Sequence, residues 1–162
     1  ISCFNLNDLF EYKVMMFSIY QKTIEHKITF SGVGLHSGKN SNVKFIPAHD
    51  NQGIVFKRVD LENNNLIEAK FNNVSSATLC TSLKNNHGVK VSTVEHLLAA
   101  LYIKGIDNLV VEIDSEEMPI LDGSSQEFIN LIESANIINL NTRKKYIKIL
   151  KKSTKNMTLL YS

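Results

Sequence analysis

Residues Val91–Leu101, "VSTVEHLLAAL", and Gly105–Asp114, "GIDNLVVEID", decide how this chain folds. At about 100° per residue, Val94, Leu97, Leu98 and Leu101 fall on one helical stripe suited to packing on a sheet. Gly105 is placed to stop that helix, and "NLVVEI" reads as a buried strand directly after it. His96 is expected to point roughly opposite the stripe, together with Ala99 and Ala100, small residues that would let another surface come close. Glu95 also has a purely structural reading. Ser92 followed three residues later by a glutamate is a capping-box pattern, in which both side chains satisfy backbone amides at the helix start.

Upstream of the helix, alternation of apolar and polar residues dominates. Ile24, Ile28 and Phe30, then Val43 and Phe45, mark half-buried strands bounded by Gly or Asn clusters. Further strands are expected at "GIVFKRV" (53–59), "LIEAKF" (66–71) and "ATLCTSL" (77–83), and "NNHG" (85–88) turns the chain into "VKVS" as a hairpin. Downstream, Asp122-Gly123 is a turn, and a second helix starts at Ser124 or Ser125 with Phe128, Leu131, Ile132 and Ala135 on one apolar face. A last strand is expected at "KYIKIL" (145–150). Many short strands with two helices placed late give an α+β two-layer domain, a mixed or antiparallel sheet with both helices packed on one face.

The 162 residues, 43% of them hydrophobic, suffice for one sizeable core with tails. Eighteen basic and sixteen acidic residues leave a net charge of only +2, spread evenly enough that no nucleic-acid partner is expected. The basic cluster "RKKYIKILKK" (143–152) reads as a strand with a solvated face at least as well as a phosphate site. Cys3 and Cys80 lie far apart in dissimilar surroundings, which offers no disulfide framework or paired-cysteine zinc motif and favours a reducing cytoplasmic setting. No apolar run approaches the roughly 20 residues a transmembrane helix requires. "VMMFSIY" (14–20) is not expected to be a signal peptide, since Asp8 and Glu11 precede it and no small-residue cleavage site follows. Residues 1–20 read as an extension outside the natural product, with Met15 and Met16 just ahead of the first patterned segment, and the end after "KYIKIL" reads as a cut through a longer chain.

Several residues carry candidate chemistry, each beside a plainer reading. His96 is either a metal ligand or a partly exposed surface histidine. A catalytic zinc takes about three protein ligands, and His26, His36, His49 and His87 show no His-x-x-x-His or His-Glu-x-x-His spacing to one another or to His96. The loop "GVGLHSG" (32–38) connects strands and lacks the lysine-serine ending of a nucleotide loop, so it reads as a glycine-rich hairpin, with His36 otherwise a substrate contact. Cys80 in mid-strand reads as a buried structural thiol rather than a nucleophile. Asp122 before Gly123 reads as turn chemistry.

Taken together and in order, "GVGLHSG", "TLCTSL", "VSTVEHLLAAL", "GIDNLVVEID" and "MPILDGSSQEF" resemble the bacterial UDP-3-O-acyl-N-acetylglucosamine deacetylases from about Gln21 to Leu150. The resemblance implies two similar α+β domains with the active site between their helix layers, of which 21–142 is the first and 143–162 the start of the second. It implies hydrolysis of the acetamide of a UDP-linked, O-acylated glucosamine, the committed step toward lipid A. It makes His96 a ligand to Zn2+ and Glu95 the general base, and places His36, Leu79 and Cys80 near the substrate. The other zinc ligands, a histidine and an aspartate, and a further catalytic histidine belong to the second domain, so this chain alone is expected to show little activity and weak zinc affinity. Its partners are then the UDP-sugar substrate and that missing domain, and a lipid-bearing substrate allows peripheral proximity to a membrane. The competing reading is a noncatalytic half-domain that binds a sugar nucleotide or a partner, with Glu95 only a cap.

Overall fold

A computed structural model describes residues 18–146. Five strands form the main sheet in the order β2 (Ile28–Val33), β3 (Asn40–Pro47), β9 (Leu109–Ile113), β4 (Ile54–Arg58) and β5 (Leu66–Glu68). All neighbours are antiparallel except β4 and β9, which run parallel, so the sheet is mixed. A second ribbon pairs β1 (Tyr20–Ile24) with β10 (Ile137–Arg143), and a small third sheet joins β6 (Val74–Ser76), β7 (Ser82–Lys84) and β8 (Lys90–Ser92). Two helices complete the domain, α1 (Glu95–Lys104) and α2 (Gln126–Ser134).

The main sheet has two faces because residues two apart in a strand point the same way. Register aligns Ile28, Phe45, Val111, Phe56 and Ile67 across all five strands. The last four are completely buried and share one core with Leu97, Ala100 and Leu101 of α1 and Phe128 and Ile132 of α2. At about 1.5–3 kcal/mol for each large apolar side chain withdrawn from water, this row and its helical cover hold the two layers together. On the opposite face Lys44, Glu112 and Lys57 lie in register, with Lys57 Nζ 2.9 Å from Glu112 Oε1. The Lys57 hydrogen bond holds the Glu112 carboxyl below its usual range, which keeps this face charged and wet. The expected two-layer α+β arrangement with helices on one face is therefore the observed one. "NLVVEI", however, is not buried on both sides: Leu109, Val111 and Ile113 meet the helices while Glu112 faces the ion pairs.

Gly105 ends α1 as expected. It adopts φ +68°, and its N–H reaches the carbonyls of Leu101 and Tyr102. Along α1 the buried residues are Leu97, Ala100 and Leu101, with Leu98 only partly covered. Ala100 thus belongs to the core and not to the outward side with His96, because a methyl group so close to the helix axis is readily covered by neighbouring elements. The outward surface carries Ala99, Tyr102 and Ile103.

Two strand expectations fail. Residues 77–81 form no strand: Leu79 has φ +66°, incompatible with an extended ladder, and pairing starts only at Ser82. "LIEAKF" is a strand only through Glu68, after which Phe71–Asn73 make a single 3-10 turn. Strand β10 precedes the expected "KYIKIL", whose residues from 147 on lie outside the described ones, as do Cys3 and most of "VMMFSIY". Of the basic cluster, Lys144 is occupied: its Nζ lies 2.8 Å from Asp107 Oδ2 and donates to the Gly105 carbonyl at 2.9 Å. Among the described residues no helix is long and apolar enough to cross a membrane.

Candidate active site

Glu95 and His96 occupy the first turn of α1. The capping box does not form. The Ser92 hydroxyl donates to the Glu116 carbonyl at 2.9 Å, and Glu95 Oε2 accepts from the Thr81 amide at 2.9 Å, fourteen residues upstream. Glu95 is therefore turned off its own helix and onto the 77–81 loop. The same loop presents Leu79, 89% exposed, and Cys80, a free, half-buried thiol 3.8 Å from the Ser82 hydroxyl. Leu79 and Cys80 thus lie in an irregular loop, two and one residues before the Thr81 amide that Glu95 accepts, and not in a strand interior; Cys80, half-buried, is accordingly no core thiol.

His96 is half-buried, and its imidazole has no hydrogen-bond partner among the described residues. The Asp122 carboxyl is held below the usual carboxylate range first by the Ser124 amide and then by its hydroxyl, with the charge of His96 adding a smaller pull. The Ser124 N–H donates to Asp122 Oδ1 at 2.9 Å, so the turn reading of Asp122 stands. His36 lies in the β2–β3 hairpin loop with its side chain exposed.

Three non-glycine residues with left-handed backbone surround this region: Leu79 (φ +66°), Thr93 (φ +57°) and Leu121 (φ +50°). Such conformations cost on the order of 1–3 kcal/mol each and gather where geometry matters more than stability. Thr93, β-branched and buried, sits two residues before Glu95 and donates its hydroxyl to Glu117 Oε1 at 3.0 Å.

Glu117 was not visible in the sequence as a site residue, yet it links these pieces. It is 3% exposed and accepts from the His36 amide at 2.9 Å and the Ser37 amide at 2.7 Å as well as from Thr93. Burial alone would raise its pKa; hydrogen bonds from the Ser37 hydroxyl, the His36 and Ser37 amides and the Thr93 hydroxyl outweigh this and bring it down to about 2. Because the folded value lies below the ordinary 4.5, the stabilisation is complete above pH 4.5 and is lost as pH falls toward 2, up to about 3 kcal/mol in all. Urea unfolding from pH 6 to pH 2.5 should therefore show wild type losing stability faster than Glu117→Gln, and equal slopes would contradict it.

His96 could hold a metal here as a single ligand. Its imidazole is partly exposed and makes no hydrogen bond among the described residues, so a ring nitrogen is free to coordinate. No group of three or more His, Cys, Asp or Glu side chains close enough to hold a metal occurs among the described residues.

Residues 21–158 match the family model described as LpxC, UDP-3-O-acyl N-acetylglycosamine deacetylase. The chain belongs to that family. Curated deacetylase relatives include the UDP-3-O-acyl-N-acetylglucosamine deacetylases of Shewanella frigidimarina, 46% identical, and Pseudoalteromonas atlantica, 48% identical, each over 133 residues. The alignments cover 82% of this chain and 44% of each relative, so the chain spans somewhat less than half the length of these deacetylases.

Proposed function

We propose that this chain supplies one half of the active site of a zinc-dependent deacetylase that hydrolyses the acetamide of UDP-3-O-acyl-N-acetylglucosamine to acetate and the free amine, in the cytoplasm, at the committed step toward lipid A. The observation that carries the reading is the pairing on α1: Glu95 is tied to Thr81 instead of capping its helix, beside an unpartnered His96.

His96 would hold the zinc as one of its protein ligands. Bound zinc supplies Lewis acidity, bringing a water's pKa to about 7 and drawing charge from the amide carbonyl. The Thr81 amide occupies Glu95 Oε2 and fixes the carboxylate's direction, leaving Oε1 without a hydrogen bond among the described residues to take the proton of the attacking water. Leu79 and Cys80 form the adjoining wall, and the exposed His36 contacts substrate. The remaining ligands, a histidine and an aspartate, and a further catalytic histidine are assigned to a second domain. That domain would cover the outward face of α1, where Tyr102 is 87% and Ile103 62% exposed.

The test compares this chain with the full-length protein for zinc content after dialysis and for deacetylation of the UDP-sugar. The full-length protein should retain zinc and turn over; the chain alone should do neither. Equal activity in both would overturn the shared site, and a full-length protein without zinc or activity would overturn the enzyme.

A further inference from the structure

We propose that Glu117 is a positioning residue, whose buried carboxylate sets the His36 loop against the start of α1 so that His36 meets substrate at a fixed place relative to Glu95 and His96. This rests on the function proposed above.

The carboxylate divides its bonds between two segments, the hairpin loop and the residue two before Glu95. Oε1 accepts both the His36 amide and the Thr93 hydroxyl, and Oε2 accepts the Ser37 amide. One oxygen therefore spans the residue carrying the exposed imidazole and the strained residue two positions before Glu95. The Glu117 backbone is itself immobilised: its carbonyl accepts the Ser41 hydroxyl at 2.8 Å, while Glu116 and Met118 on either side bond the backbone of Ser92. The loop is shaped to this group, since a Cβ on Gly34 would fall 2.5 Å from Glu117 Oε2, which leaves glycine as the residue that fits. The His36 side chain has no hydrogen bond among the described residues to orient it. Its place in space thus follows from its backbone, and that backbone is held by Glu117. A buried carboxylate is costly where apolar packing would serve as well; here it satisfies donors from two chemistry-bearing segments at once. Glutamine offers one acceptor oxygen where the carboxylate offers two, and turns an amide N–H toward one of the donors.

The experiment uses the full-length protein and its variants His36→Ala, Glu117→Gln, Thr93→Val and His36→Ala/Glu117→Gln, read for kcat, KM, zinc content and hydrogen exchange at residues 34–39. Glu117→Gln should lower kcat/KM about ten- to a hundredfold, the scale of a small misplacement of a reacting group, at unchanged zinc content. The double variant should match His36→Ala within about twofold, because with the imidazole gone there is nothing left to position. Exchange at the His36 and Ser37 amides should quicken in Glu117→Gln. Losses that multiply in the double variant, wild-type kcat/KM in Glu117→Gln, or unchanged exchange each overturn the proposal, and a role in stability alone predicts the multiplying pattern. If Glu117→Gln does not fold, Thr93→Val, which cuts only the link to α1, enters the same cycle with His36→Ala and is held to the same criterion. A wild-type protein that fails to deacetylate the UDP-sugar removes the proposed function, while amide exchange still decides whether Glu117 tethers the loop.

Discussion

Glu95→Gln in the full-length protein is expected to reduce turnover by about 10²–10⁴-fold, the span typical for loss of a positioned general base, with zinc content unchanged. Glutamine is the informative replacement. Its carbonyl oxygen can still accept from the Thr81 amide, so the 77–81 loop bearing Leu79 and Cys80 stays in place and only the proton-accepting charge is removed. Alanine would remove both, and loop displacement would then add to the loss. Because catalysis and not binding is affected, KM should change far less than kcat. A Glu95→Gln enzyme retaining more than a tenth of wild-type turnover would remove Glu95 from the role of base.

The complementary expectation concerns His96→Ala, which should empty the metal site. With about three protein ligands to a catalytic zinc, deleting one should weaken affinity beyond the roughly 10–100-fold attached to losing a supporting group around a ligand. Zinc per chain, measured by atomic absorption after dialysis, should fall well below that of wild type, and turnover should fall with it. His96 is half-buried and makes no bond to the core, so thermal unfolding of the metal-free proteins should nearly coincide. The two variants therefore separate the adjacent residues: one keeps zinc and loses chemistry, the other loses both. Wild-type zinc content in His96→Ala would exclude it as a ligand.

Much of the fold was readable because periodicity and punctuation agreed. Val94, Leu97 and Leu101 repeat at helical spacing and Gly105 stops the helix with a left-handed residue, so α1 and the strand after it stood out. Strand β10 did not. Among the described residues it pairs only with β1 in a two-stranded ribbon, and although Ile138 to Arg143 alternate between partly covered and exposed, none of its residues is fully buried, so it lacks the strong apolar row that marks a core strand. The 77–81 loop misled for another reason: "ATLCTSL" has strand composition, and the positive φ at Leu79 that breaks the ladder has no glycine to announce it. Of the candidate site, periodicity showed only that Glu95 and His96 lie off the apolar stripe, and their assigned roles came from the family resemblance of "VSTVEHLLAAL"; the capping box drawn from Ser92 and Glu95 does not form because both side chains found partners elsewhere in the chain. Glu117 was silent. Its partners lie 80 and 81 residues upstream in the hairpin loop and 24 residues upstream at Thr93, separations at which local spacing carries no information.

The occupied amides of that hairpin loop also bear on how anions compete for this protein. Loops rich in glycine commonly hold phosphate through free backbone N–H groups. Here the His36 and Ser37 amides already hold a carboxylate from the same chain. Being intramolecular, that carboxylate acts at an effective concentration no dissolved phosphate reaches. Those two amides are in this sense a filled receptor, and a diphosphate-bearing ligand can draw on this loop through its exposed side chains, such as the His36 imidazole, and not through them.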